Sequence, residues 1–442
     1  VGAAGTIEFI IDPRLRDWSP PPTPIPERSR RFRRELGLPT DRPIVMTGHQ
    51  PGLWHAGILA KFLAARALAD RTGSAAAWCV PDMDDAEPGS VRVPAAGSTP
   101  GAPGRWTART VELVRWARPV AGVALASRPP GEVAGDAPPA LAPFTGRLRA
   151  RAGEADAARQ AQRAAEDLLA DCLALRGDAP THYASHLPRT SFFREIIGRM
   201  RADPHACVRS YNRAVRARAA ARELETGADA GRAELPLWRL EAGEPRRIVR
   251  AGELAAIDTA RLAPRALLFT GLLRLAACDL YIHGTGGAEY DGAGEAWLND
   301  WLGETMAPAM VVSATVLLDL GVPRVSPADL ARAVWRAHHA RHNPALLGDG
   351  AAGDAKRALL ERLARADAPA RPALFRELHD LLDDARRTHA PALSELDRGV
   401  ESARAALADA TLAQDRTWPW LLHPPAALEA LGERIAATIA AR

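Results

Sequence analysis

Apolar positions change their spacing several times along the chain, and each change marks an element. "TIEFII" near the start is short and β-prone, and the proline cluster "SPPPTPIPE" after it continues neither a helix nor a central strand, so residues 1–40 predict an N-terminal arm. From "RPIVMTG" the pattern becomes an apolar run, a glycine-rich turn and an amphipathic helix, "ILAKFLAARALADRTG", followed by a second apolar run, "AAAWCVP", that ends in acids. Such alternation predicts a βαβ unit on a parallel sheet. Residues 95–148 are rich in glycine, proline and small side chains, with "TVELVRWA" as the one strand-like segment. Helical periodicity then takes over in "AGEADAARQAQRAAEDLLADCLAL" and continues through "SFFREIIGRM" and "VRSYNRAVRARAAARELE".

The sheet pattern returns at "LPLWRLEAG" and at "ACDLYIHGTGGAEYDGAGEAWLNDWLG", where an apolar run meets a glycine turn that opens a helix, and "MVVSATVLL" reads as a further buried strand. After Ser326, which supplies an N-cap with proline in the first turn, the pattern is nearly all helical. Leu393, Leu396, Val400, Ala403, Leu407 and Ala410 step by three and four, a short coiled-coil-like seam open to two readings, packing within the chain or dimerisation. The expected α/β architecture is a parallel-sheet core in two halves, 41–148 and 234–325. A helical insertion at 149–233 splits it, and a helical, coiled-coil-like region at 326–442 follows.

Composition narrows the function classes. With 442 residues, 47% of them apolar, the chain buries a sizeable core in two or three units. The net charge of +4 comes from arginines scattered along the sequence, without the basic stripe that tracks phosphates along nucleic acid. Ala266–Ile282, the most apolar stretch, is interrupted by Arg274 and Asp279, and Glu8 and Asp12 stand where a signal peptide would be basic and then apolar, so no membrane association and a cytoplasmic location are expected. Cys79, Cys172, Cys207 and Cys278 are far apart and form no C-x-x-C pair. Lys61 and Lys356 are the only lysines, and a lysine kept against so strong an arginine bias points to a need for lysine.

Three stretches carry candidate chemistry. In "TGHQPGLWHAGILAKF", Gly48, Gly52 and Gly57 would let the backbone approach a phosphate or carboxylate, and His49 and His55 share the same mouth. Lys61, early in the following helix, leans back over the loop as a point charge. The plainer alternative has the histidines capping the turn and Lys61 reaching solvent. "WCVPDMDDAEP" places Asp82, Asp84 and Asp85 at a strand end, either facing a site or simply forming a turn. "YIHGTGGAEYDGAG" resembles an anion nest at Gly284, Gly286 and Gly287, flanked by His283 and Asp291. Glu289 occupies the last glycine position of the dinucleotide fingerprint and disfavours a nicotinamide enzyme. A tight turn with a packed histidine is the alternative there. His338 and His342 in "WRAHHARHNP" share a helical face, but no H-E-x-x-H glutamate or third ligand accompanies them, so no metal ligand set is assigned. No nucleophile elbow is present.

"TGHQPGLW" before a helix, "WCVPDMDD" after the next strand and "YIHGTGG" entering a late helix resemble the three core signatures of the bacillithiol-biosynthesis cysteine-adding enzyme family. The likeness covers roughly residues 40–90 and 260–320, and the chain reads as a divergent relative. It implies a Rossmann-like core, a helical coiled-coil domain used for homodimerisation, and amide-bond formation between cysteine and the amine of glucosaminyl-malate with nucleotide help. Thr47, Gly48 and Gln50 match the family's glutamine-rich turn, with His49 in place of its first glutamine. Trp78, Asp82 and Asp85 match its tryptophan and acids, and Asp84 stands where it has histidine. Gly284 and Gly286 match its late turn, and His283 replaces a glycine. More distantly, the first stretch resembles the H-x-G-H loop of nucleotidyltransferases, with Ile58 in place of the second histidine.

The expected activity is therefore joining an amino acid to an amine, small-molecule substrates assisted by ATP or another nucleotide with Mg²⁺. His49, His55 and Lys61 would stabilise phosphate charge, Asp82 or Asp85 would hold the ammonium or orient the amine, and the Gly284–Gly287 turn would bind a second substrate or a phosphate. A nucleotidyltransferase using the same loop, and a non-catalytic nucleotide-binding or dimer-scaffold descendant, are the alternatives.

Overall fold

The computed structural model describes residues 7–21, 24–97, 106–117, 120–135, 137–173, 179–218, 221–227 and 230–441. Its contacts divide the chain into two compact units, Val1–Val93 with Thr110–Leu318 and Arg416–Arg442, and Pro94–Arg109 with Asp319–Asp415.

The first unit is mixed α/β. Six strands, β1 (Ile7–Ile11), β2 (Ile44–Gly48), β3 (Ala75–Val80), β4 (Thr181–Tyr183), β5 (Leu280–His283) and β6 (Ala309–Val316), form one sheet in the order β1-β6-β5-β2-β3-β4. From β2 to β6 neighbouring strands run parallel, while β1 closes one edge antiparallel to β6 with Phe9 opposite Ala314. The chain builds outward from β2 through β3 to β4, then returns to the other flank of β2 as β5 and β6. Strand order thus reverses between β2 and β5, opening a crevice at their carboxyl ends.

Ile44, Val45 and Met46 are fully buried, as expected of a parallel strand covered on both faces. Helix α1 (Ala56–Thr72) follows and stops at Gly73, whose φ of +67° is the left-handed conformation a glycine adopts readily. The sequence pattern predicts an amphipathic helix here. Leu59, Ala60, Phe62, Ala64, Ala65 and Leu68 are all buried, so it is apolar around most of its circumference. The reason is its packing against β2, β6 and the last helix, Pro425–Ala440. Each of its large apolar side chains contributes roughly 1.5–3 kcal/mol by leaving water. Helix α2 (Thr285–Leu302) follows β5 in the same strand-turn-helix manner.

Ile7–Ile11, in the expected N-terminal arm, is an edge strand of the core sheet, and two more elements also differ from the sequence pattern. Within the helical insertion, whose helices are Ala157–Leu173, Ser191–Ala202 and Pro204–Arg218, lies β4, the sheet's edge strand. Three residues are too few to register a period of two. Glu234–Arg239, read as the return of the core sheet, instead centres a separate three-stranded antiparallel sheet with Arg247–Arg250 and Leu262–Pro264. Its apolar run is long enough for a strand, but nothing in a run says which sheet will receive it.

The second unit is mainly helical: Pro327–Ala340, Gly350–Arg365, Arg371–Thr388 and Ala390–Ala413. Ser326 and Asp329 cap the first of these reciprocally, the Ser326 hydroxyl donating to Asp329 at 2.6 Å. The Leu393–Ala410 seam is taken up within the chain, because Ala390–Ala413 packs along Pro327–Ala340, with Arg341 bonded to Asp397 at 2.6 Å. No helix among the described residues is long and apolar enough to cross a membrane.

Candidate active site

A cavity of about 630 Å³ opens in the first unit where β2 and β5 end. The first turns of α1 and α2 both border it, through His55, Gly57 and Ile58 on one side and Gly284, Thr285, Gly286 and Gly287 on the other. Helix N-termini carry unpaired N–H groups and a partial positive charge, so two of them at one cavity favour an anion.

The glycines of the opening stretch have packing reasons of their own. A Cβ at Gly48 would lie 2.0 Å from the Cys79 carbonyl oxygen on β3, and one at Gly57 would lie 2.7 Å from the Ala314 carbonyl on β6. Gly52 has φ +137°, a conformation suited to glycine. Gly286 differs, since a Cβ there would meet nothing within 4 Å.

Lys61 is 5% exposed. Its Nζ donates to the Gly48 carbonyl at 2.7 Å, its one hydrogen bond among the described residues. Burial pulls its ammonium down to about 8 from the usual 10.5. His49 lines the same wall, with Nδ1 3.2 Å from the Gln50 carbonyl, and burial together with the Lys61 charge holds it at about 3, so it is neutral and its Nε2 is an acceptor. His55 serves as the N-cap of α1, Nδ1 accepting the Gly57 N–H at 3.0 Å. The capping alternative thus describes His55, while Lys61 points inward rather than to solvent.

The three acids part company. Asp84 lines the cavity. Burial alone would raise its carboxyl, but bonds from Gln50 and the Asp85 N–H and the charge of Arg246 hold it below its ordinary value. Asp85 does not line the cavity and bonds Arg246 at 2.5 Å. Asp82 is buried away from it, accepting the Ser185 N–H at 2.8 Å and hydroxyl at 2.5 Å, and burial pushes it up to about 6. Thr47 and Trp78 are framework: the Thr47 hydroxyl donates to the Ile282 carbonyl at 2.7 Å, and Trp78 meets Phe62 edge-on with ring centroids 4.9 Å apart.

His283 and Asp291 line the cavity together, His283 Nε2 lying 3.2 Å from Asp291 Oδ1. Burial opposes ionisation of Asp291, yet the contact with His283 and the buried Arg274, at 2.6 Å from Oδ2, hold its carboxyl low. Arg274 also donates to the Ala307 carbonyl at 2.7 Å.

Sequence reasoning missed much of the far wall. Arg246 and Arg265 each stack on Trp238 at 4.6 Å, Arg222 and Arg265 both bond the buried Glu234, and Arg416 donates to Ser313 at 3.0 Å. Cys79 and Tyr281 also line the cavity, Sγ and Oη 3.0 Å apart, and burial pushes the thiol up to about 11, which keeps it protonated at neutral pH. In so arginine-rich a chain nothing distinguishes these arginines beforehand. In the second unit the rings of His338 and His342 are 5.3 Å apart, but no group of three or more His, Cys, Asp or Glu among the described residues is placed to hold a metal.

No family model matches the chain, and no curated protein matches it in sequence.

Proposed function

We propose that the protein is a ligase that activates an amino acid's carboxylate with a nucleotide and joins it to an amine, on a Rossmann-like sheet, as its resemblance to the cysteine-adding family implies. The observation that carries this reading is Lys61. It is an ammonium taken out of water at the strand-order reversal, beside two helix N-termini, with one carbonyl as partner. Burying a lysine without a carboxylate is costly, and an anionic ligand offsets that cost.

An amine does not displace oxide, so the carboxylate must first become an acyl phosphate or acyl adenylate. Lys61 and the first-turn N–H groups of α2 stabilise charge developing on the transferred phosphate, and Gly286 leaves room for a phosphate oxygen to reach the backbone. His49, neutral, accepts a hydrogen bond from the substrate through Nε2. The role of holding an ammonium passes from Asp82 and Asp85 to Asp84, the aspartate that faces the cavity. That carboxylate is already bonded to Gln50 and Arg246, so the protein offers no cage for Mg²⁺; a metal would arrive on the nucleotide's phosphates.

A homodimer through the C-terminal helices belongs to the same proposal. With the Leu393–Ala410 seam used internally, the support is the exposed apolar set Val334, Trp335 and Phe375.

Calorimetry with ATP tests the site. Wild type should bind, taking up a fraction of a proton at pH 8–9 because a bound phosphate restores the Lys61 charge, and Lys61→Met should lose both. Equal affinity of the two proteins removes the phosphate role of Lys61. Pyrophosphate exchange that needs no amino acid favours nucleotidyl transfer instead.

A further inference from the structure

The late turn presents a histidine-carboxylate pair that anion binding does not use. His283 ends β5, and its ring lies over the first turn of α2, where a Cβ at Gly287 would come within 2.6 Å of Nδ1. Nε2 faces Asp291, 3.2 Å away and off the ideal hydrogen-bond line. Asp291 cannot swing away, since Arg274 grips its other oxygen and is itself held by the Ala307 carbonyl. A carboxylate on Nε2 favours the tautomer with the proton there, leaving the lone pair on Nδ1. No hydrogen bond to Nδ1 is made among the described residues, and His283 lines the cavity.

We propose that His283 is the proton acceptor of the coupling step, with Asp291 as its positioning residue; this rests on the ligase reading above. An amine enters as an ammonium and attacks only after losing a proton. The proton passes to His283 Nδ1, and the nitrogen lone pair forms the C–N bond at the acyl carbon. The bond from that carbon to the phosphate oxygen breaks, the phosphate or nucleoside monophosphate leaves with the electron pair, and its departing oxygen takes the second proton from the nitrogen, leaving the neutral amide. The acyl donor comes from the amino acid and a nucleoside triphosphate. The charged and titratable groups around the ring are Asp291 on α2, Arg274 before β5, Tyr281 two residues earlier on β5 with ring centroids 4.4 Å apart, and Lys61 on α1, whose Cδ would lie 3.6 Å from a Cβ at Gly284.

Two acceptors of different basicity separate proton removal from every other contribution. Hydroxylamine is already neutral at neutral pH, while ethylamine is protonated. Full-length wild type, His283→Gln and Asp291→Asn are given ATP, Mg²⁺ and a mixture of protein amino acids with either acceptor, and hydroxamate or ethylamide is measured. His283→Gln should lower ethylamide formation about 10²-fold and leave hydroxamate formation near the wild-type rate. Asp291→Asn should lower kcat with ethylamine at little change in KM, again sparing hydroxylamine. Equal loss with both acceptors, or loss with neither, overturns the role of His283 while leaving the ligase reading standing. A wild type that makes neither product overturns both.

Discussion

Lys61 is the residue on which the site depends most, and its burial has a consequence measurable without any substrate. Lowering a lysine from 10.5 to about 8 means that the folded protein holds this proton less tightly than the unfolded chain. At ~1.4 kcal/mol per pH unit, keeping Lys61 charged inside the fold costs about 3 kcal/mol of stability at neutral pH. The penalty is fully present below pH 8, where both states are protonated. It fades between 8 and 10.5, where the unfolded state still binds the proton and the folded state has released it, so stability rises with pH across that window. Lys61→Met removes the titration. Urea denaturation of both proteins from pH 7 to 10.5 should therefore show wild type gaining about 3 kcal/mol relative to the variant, most of it above pH 8. Cys79, pushed up to about 11, is present in both proteins and largely cancels. Parallel stability curves would refute the reasoning, because they would mean that the ammonium is hydrated or paired. With ATP bound, the gain between pH 8 and 10.5 should shrink, since the phosphate keeps Lys61 charged.

Gly286→Ala should leave thermal stability nearly unchanged, whereas Gly287→Ala should displace the His283 ring and reduce ethylamide formation more than folding, because a Cβ meets nothing at the first position and Nδ1 at 2.6 Å at the second. Circular dichroism melting beside the coupling assay checks the pair. Asp82, raised to about 6 from 3.8 by burial, contributes stability that is present below pH 3.8 and lost as pH rises through 6. Wild type should accordingly lose about 3 kcal/mol relative to Asp82→Asn between those limits, and a pH-independent difference in urea midpoints would contradict this. Trp335→Glu with Phe375→Glu should give a helical monomer by light scattering, while Leu396→Glu should cost helicity through the internal seam; a monomeric wild type at high concentration ends the dimer proposal.

What the sequence made legible follows from length and rarity. The β2-α1-β3 unit could be read because Ile44–Met46 and Ala76–Val80 are runs flanked by a glycine turn and a long helix, and each signal supports the others. Lys61 stood out because lysine is so scarce. The acids were legible as a group, but which carboxylate faces the cavity depends on Ser185 and Arg246, each more than a hundred residues away. The stack of Arg246, Trp238 and Arg265 was illegible for the same reason, being assembled by a small antiparallel sheet whose strands look like core strands in sequence.

The two residues given distinct chemical tasks meet at one turn. A Cβ at Gly284 would lie 3.6 Å from the Lys61 Cδ, and Gly284 directly follows His283, so the cation proposed to hold phosphate and the base proposed to take a proton flank the same backbone. A parallel sheet brings this about wherever its order reverses, because β2 and β5 end side by side while the helices after them leave on separate paths. Charge separation comes with it. Lys61 donates to the Gly48 carbonyl, while His283 is backed by the Asp291 carboxylate. One group is thereby placed to stabilise an anion and the other to accept a proton, the first on the helix that follows β2 and the second at the end of β5, the strand beside it.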